Sequence, residues 1–186
     1  MALEYALLVT LLEKPSSGYD LARRFDRSIG YFWHATHQQI YRTLARMEAD
    51  GWIRVKELKQ GGRPDKKTYS VTAKGRKALS VYVREPSDPE GARIALLVKL
   101  RGAVFDDPAF VTAEIERHRE LHQATLLEYR KIEARLYPRP AELNTAQCLQ
   151  HLALRSGIYY EQGWIAWCGE ALLALAERRP RSGFRD

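Results

Sequence analysis

Apolar residues recur at helical spacing from Leu3 to Glu13, where Leu3, Ala6, Leu7 and Leu11 share a face that Leu8 and Leu12 widen. Lys14-Pro15-Ser16 breaks the pattern. Ser17 and Asp20 have the form of a capping box for a second helix, Gly18 to about Ser28, with Leu21, Ala22, Phe25 and Ile29 facing inward. Gly30 stops it, and Tyr31-Phe32-Trp33 follows as an aromatic connector. A second capping pair, Thr36 and Gln39, starts a helix to about Asp50, with Gly51 as its C′ stop. The period then falls to two. Ile53 and Val55 alternate with polar neighbours, as do Tyr69 and Val71, which predicts strands near Trp52–Lys59 and Lys66–Val71 around a turn at Gln60–Asp65. Thr72 caps a helix through about Val83.

The stretch Arg84-Glu85-Pro86-Ser87-Asp88-Pro89, with two prolines and no large apolar residue, marks the expected domain boundary. Beyond it the pattern is helical. After a segment Gly91–Val104, Asp107-Pro108 offers an N-cap with proline at N1 for a helix reaching Tyr137, which Pro138 and Pro140 end. Asn144 with Gln147 caps a last helix to about Arg178. The expected organisation is a first domain over 1–84, a helical domain over 91–178, and a frayed tail over 179–186. The fold class is mainly α with a small β-hairpin wing, a winged helix-turn-helix joined to an all-helical dimerisation domain.

Charge sharpens this division. Residues 1–82 hold 15 Lys and Arg against 8 Asp and Glu, an excess of seven, while residues 83–186 hold 15 of each. The whole net charge of +7 therefore sits on the first half, which implies an anionic partner for that half. Charge alone admits a membrane surface, but no membrane anchor is expected. The run Leu3 to Leu12 contains Glu4 and Thr10, and Trp164 to Ala176 is short and carries Glu170. Cys148 and Cys168 have no CxxC companion and read as buried thiols in a reducing cytoplasm.

On a helical wheel, Ile40, Leu44 and Met47 of the third helix fall together as a core face. Gln38, Gln39, Arg42 and Arg46 cluster opposite, with Tyr41 and Thr43 on the flanks. Glutamine reads adenine and arginine reads guanine bidentately in the major groove, so this face carries the groups for base readout. A solvated surface helix has the same polarity. The following hairpin favours DNA: Lys59, Arg63, Lys66 and Lys67 surround Gly61-Gly62, and their mutual repulsion is relieved by a phosphate backbone. Lysines also discourage edge pairing, and both roles are compatible. Lys74, Arg76 and Lys77 are further phosphate contacts or a solvated helix face.

The tracts YFWHATHQQIYRTLARMEADGWI and GGRPDKKTYSVTAKGRKAL, with SGYDLARRF before them, resemble the PadR family of bacterial transcriptional regulators from about Leu3 to Val83. The resemblance implies a dimeric winged-helix protein, usually a repressor and often released by a small molecule. By it Tyr41 contacts the DNA backbone and Gly62-Arg63-Pro64 forms the wing. Many members have proline directly after the equivalent of Tyr41, whereas this chain has Arg42. The second half is similar in length and helical pattern to the larger, virulence-activator type of C-terminal domain.

In that half the stripe Val111, Ile115, His118, His122, Thr125, Tyr129, Ile132, Leu136 has heptad rhythm. A helix on the order of 40 Å long needs more cover than a small core supplies, so a second subunit is the expected cover. His118 and His122 stand at i, i+4, but the sequence around them is not HExxH and places no third ligand. They are read as a polar layer, and no metal or cofactor is expected. Tyr159, Tyr160, Trp164 and Trp167 alternate with Gly157, Gly163 and Gly169, framing either a dimer core or a pocket for a flat aromatic effector. The reading is a cytoplasmic homodimeric regulator on a palindromic operator, a repressor in preference to an activator. A nonspecific architectural or RNA-binding protein shares the basic half but would prefer no palindrome. An enzyme is disfavoured, since GxSxG, Walker A, HExxH and Rossmann patterns are absent.

Overall fold

Helix α3 (His37–Ala49) begins at a complete capping box and ends at a Schellman turn. The Gln39 N–H donates to the Thr36 hydroxyl at 3.2 Å, and the Thr36 N–H donates to the Gln39 amide oxygen at 2.8 Å. At the far end Gly51 adopts φ +71°, which lets its N–H reach the Glu48 carbonyl and the Trp52 N–H reach that of Met47. The computed structural model describes residues 3–26, 33, 35–58, 66–89, 93–105 and 108–178. They fall in two units, Met1–Pro89 and Glu90–Asp186.

The first unit runs α1 (Leu3–Glu13), β1 (Ser16–Ser17), α2 (Gly18–Asp26), α3, β2 (Ile53–Leu58), β3 (Lys66–Val71) and α4 (Ala73–Tyr82). Leu7, Leu8 and Leu11 of α1, Leu21, Ala22 and Phe25 of α2, and Ile40, Leu44 and Met47 of α3 form one buried core with Ile53. Each of the leucine, isoleucine, methionine and phenylalanine side chains among them contributes about 1.5–3 kcal/mol on burial. Thr10 is buried among them because its hydroxyl donates to the Ala6 carbonyl at 2.9 Å. Arg24 ties the end of α1 down by donating to the Thr10 and Lys14 carbonyls at 3.0 and 2.8 Å, adding to the Lys14 N–H that the Thr10 carbonyl also accepts. Ile29 and the connector residues Tyr31 and Phe32 lie outside the described residues, while Trp33 packs against the core.

The β-structure is larger than a hairpin. Beside the antiparallel β2–β3 pair, with Ile53 opposite Val71 and Val55 opposite Tyr69, β1 adds Ser16 and Ser17 to the other edge of β3. Two residues paired through backbone alone leave no alternation for a sequence pattern to show. Thr72 locks the sheet to α4. Its N–H donates to the Trp52 carbonyl at 2.9 Å, its hydroxyl donates to the Gly51 carbonyl at 2.7 Å, and it receives the Gly75 N–H at 3.2 Å. A Cβ on Gly75 would stand 2.2 Å from the Trp52 carbonyl oxygen. Tyr5 of α1 stacks on Tyr82 of α4 at 3.9 Å.

The second unit runs α5 (Ala95–Gly102), a 3-10 turn at Ala103–Phe105, α6 (Pro108–Leu136), a 3-10 turn at Pro140–Glu142 and α7 (Thr145–Arg178). Asn144 and Gln147 cap α7 reciprocally at 3.0 and 3.1 Å. Asp107, the expected cap of α6, and the tail 179–186 lie outside the described residues. The α6 stripe corrects the expectation of a seam covered by a second subunit. It faces α7 of the same chain in an antiparallel hairpin: His122 meets Glu161 at 2.5 Å, Tyr129 lies against Gly157, and Glu133 meets His151 at 3.0 Å. Pro138 and Pro140 sit where the chain reverses, and α7 is long enough to cover α6. Heptad spacing reports that a face is covered, not which helix covers it. His118 and His122 are part of that layer, and no group of three His, Cys, Asp or Glu stands ready for a metal among the described residues.

The glycines of α7 divide into two kinds. Gly157 is a close approach, since a Cβ there would lie 2.9 Å from the Tyr129 ring, whereas Gly163 and Gly169 face open space. Gly75→Ala should therefore destabilise the first unit by about 1–3 kcal/mol or more, as overpacking against fixed backbone does. Gly169→Ala should stabilise the second by about 0.4–1 kcal/mol, and urea midpoints of the two variants check both signs. Burial raises the Glu133 pKa, but hydrogen bonds from His151, Arg130 and Arg155 outweigh it and leave the carboxyl below its ordinary value. Its stabilisation is thus present above the unfolded pKa and lost as pH falls through the lowered folded one. Glu133→Gln should flatten the acid limb of a stability–pH curve followed by circular dichroism.

Candidate nucleic-acid interface

Burial orients α3. Ile40, Thr43, Leu44 and Met47 point inward, and the opposite face presents Gln38, Arg42 and Ala45 to solvent. Thr43, expected on a flank, is 8 % exposed and belongs to the core side. Among the described residues Gln38 and Arg42 have no hydrogen-bonding partner, so their donors and acceptors remain available for base edges. The other two residues of the expected reading face are engaged within the protein. Gln39 gives its amide oxygen to the capping box, and the Arg46 guanidinium donates to the carboxylate of Glu4 on α1.

Tyr41 is 45 % exposed and stands beside the start of α2. Gly18 makes room for it: a Cβ at that position would lie 2.5 Å from Cε1 of the Tyr41 ring. Tyr69 on β3 has its hydroxyl pKa raised, by burial first and then by the Glu48 carboxylate, so it stays a neutral donor. Lys67 is exposed on β3, opposite Glu57 in register. Lys66 is on the same strand, while Lys59 and Arg63 lie outside the described residues. Lys74, Arg76 and Lys77 are exposed along α4.

Sheet pairing brings together residues that lie far apart in sequence. Lys14, Ser17, Arg23 and Thr68 line a polar cleft of about 450 Å³ at the N-terminal end of α2. No sequence spacing connects position 14 to position 68, and only the two-residue strand β1 does so. Glu4 and Gly18 escaped sequence reasoning for the same reason. The one available hint for Glu4 was its place as an acid in the first turn of a mostly apolar helix.

In the second unit, Tyr159, Tyr160, Trp164 and Trp167 do come together. With Ile94, Leu97 and Gly163 they line a cavity of about 390 Å³. The tryptophans pack edge to face at 5.3 Å, and Trp164 stacks on His122 at 5.2 Å. Tyr159 and Tyr160 are exposed, the former under the Arg155 guanidinium at 4.7 Å. The volume is within the usual range for a small-molecule site.

Comparison with known proteins meets this geometry from outside. Residues 7–81 match the Transcriptional regulator PadR-like family, and residues 92–176 match the Virulence activator alpha C-term family. A Mycobacterium tuberculosis protein named "Probable transcriptional regulator Rv1176c" is 46 % identical, over 96 % of this chain and 100 % of that one. The Bacillus subtilis negative transcriptional regulator PadR is 26 % identical over 95 % of this chain and 98 % of its own length. Its structure with operator DNA superposes with a TM-score of 0.80, at 23 % identity, over 94 % of this chain and 99 % of that one. The Vibrio cholerae virulence activator AphA superposes at 0.79, with 30 % identity, over 95 % and 99 %. The two family matches span most of the chain and a relative shares nearly half its residues end to end, so the chain belongs to the PadR-like family of transcriptional regulators.

Proposed function

We propose that this regulator is a homodimeric repressor that works in the cytoplasm, holds a palindromic operator through α3 and the β2–β3 wing, and is released by a small planar effector. One observation carries the DNA reading. Gln38 and Arg42 stand unpaired among the described residues on the face of α3 opposite its core contacts, and that helix is fixed at both ends by its caps. Base choice is assigned to these two residues. Phosphate contacts are assigned to Tyr41, through its hydroxyl, and to Lys59, Arg63, Lys66 and Lys67, whose charge releases counterions from any sequence.

A second copy is supported by apolar side chains that remain exposed after α7 has covered α6. Leu149, Leu152 and Leu173 on α7 are each more than half exposed, as are Val98, Phe105 and Phe110. A dimer also supplies the two α3 helices that reading two half-sites requires. The aromatic cavity supports an effector, and the Bacillus subtilis PadR structure with p-coumaric acid shows a member of this fold with such a ligand. The name of that relative supports repression, whereas AphA, a virulence activator, favours the opposite sign. Transcription in vitro from a promoter carrying the preferred site distinguishes them: a fall on adding protein supports repression, and a rise supports activation.

Selection from random duplexes should enrich a palindrome whose half-sites lie about one helical turn, or a multiple of it, apart. A pool without an enriched palindrome would instead support a nonspecific architectural protein. Arg42→Ala should narrow the gap between preferred and random DNA by about 1–3 kcal/mol. A persisting gap would make Arg42 a positioning residue only. Arg63→Ala should weaken binding to all duplexes alike and lower the salt slope by roughly 0.9, both read by fluorescence anisotropy. An unchanged slope removes the wing tip from the interface.

A further inference from the structure

We propose that Glu4 limits the electrostatic affinity of α3 for DNA: by holding Arg46 it keeps a strong phosphate-seeking cation out of the contact and leaves the exposed face to Gln38 and Arg42. This rests on the DNA-binding reading above. At about 100° per residue, Arg42 lies about 40° from Gln38 around α3, and Arg46 lies about 80° away, at the edge of the exposed face. Arg46 is long enough to swing from that edge toward a backbone phosphate. The structure shows where it goes instead, to a carboxylate on α1.

The pair is asymmetric in a way that favours retention. The Glu4 side chain is 15 % exposed and that of Arg46 is 58 % exposed. Glu4 is on a helix whose Leu7, Leu8 and Leu11 are fixed in the core, so the acceptor cannot follow its partner outward. Moving Arg46 to a phosphate would leave a mostly buried carboxylate without its cation and bring it close to the negative backbone. Both changes are unfavourable, and the loss of one partner of a shielded pair is the costlier. A phosphate contact strengthens binding to every sequence, so withholding one lowers preferred-site and random-site affinity together and leaves the base contacts untouched. Affinity and its salt dependence fall as a result, while the choice of sequence stays with Gln38 and Arg42.

The test is fluorescence anisotropy of the full chain on its selected site and on a random-sequence duplex, from about 50 to 200 mM KCl. Glu4→Gln keeps the shape and an accepting oxygen while removing the charge. It should steepen the salt slope by roughly 0.9, so that the variant loses about 3.5-fold more affinity across that range than the unaltered chain. It should also tighten binding to preferred and random DNA alike and leave their ratio unchanged. Adding Arg46→Ala to Glu4→Gln should restore both the slope and the affinity of the unaltered chain. An unchanged slope in Glu4→Gln overturns the proposal. So does a double variant whose slope stays as steep as that of Glu4→Gln, and Glu4→Leu, which removes charge and acceptor together, carries the same test where Glu4→Gln folds poorly. Failure of the unaltered chain to bind duplex DNA overturns the DNA-binding reading itself, and is distinct from either outcome.

Discussion

The seating of α3 on α1 is the contact on which the rest of the DNA-binding unit depends. Ile40, Leu44 and Met47 meet Leu7, Leu8 and Leu11 in one buried cluster, and none of these side chains is more than 1 % exposed. A helix of 13 residues is marginal alone, so its persistence and its rotation both come from that packing. The capping box and the Schellman turn then fix where it starts and stops. Once those are fixed, the side chains that face outward are a matter of geometry: Gln38 and Arg42 project, while Gln39 and Arg46 fold back onto Thr36 and Glu4. The turn at Gly51 leads directly into β2, and Thr72 joins the end of β3 to that same turn. The wing strands are therefore anchored to the C-terminal end of the helix beside which they must act.

In the second unit the equivalent constraint is the α6–α7 hairpin. Its interface is layered, with Val111, Ile115 and Cys168 apolar at one level, His122, Glu161 and Trp164 at the next, and Tyr129 against Gly157 beyond. Burying a carboxylate is unfavourable unless it is paired, and His122 supplies the pairing for Glu161. A polar layer of this kind specifies register in a helix pair that apolar residues alone would allow to slip. The cavity beside Trp164 and Trp167 opens next to this layer, where Gly163 leaves space that any larger residue would occupy.

Much of this was legible in the sequence because the signals were local. The helix bounds of α1, the caps of α3 and α7, the Gly51 stop and the extent of β3 all follow from residues within one turn of one another. The features that escaped notice were those made by chain reversal. Ser16 and Ser17 join the sheet through backbone pairing that carries no periodicity. Thr10, polar by type, is buried because its hydroxyl reaches its own helix. The α6 stripe correctly marked a covered face, but a helix pair within one chain and a helix pair between two chains have the same rhythm. The wheel for α3 located four polar residues without revealing that two of them already had partners. A wheel gives the direction of a Cβ, not what the end of a long side chain finds within the protein.

The role proposed for α3 is to read base edges in the major groove and not only to lie along the backbone. Methylation interference on the selected duplex tests that most directly, because methylating guanine N7 removes the acceptor that an arginine uses there. Base readout by Arg42 predicts that N7 methylation at one guanine in each half-site blocks binding by the unaltered chain, and that Arg42→Ala is indifferent to the same methylation. Binding that tolerates methylation at every guanine, while phosphate modification alone abolishes it, would contradict the account.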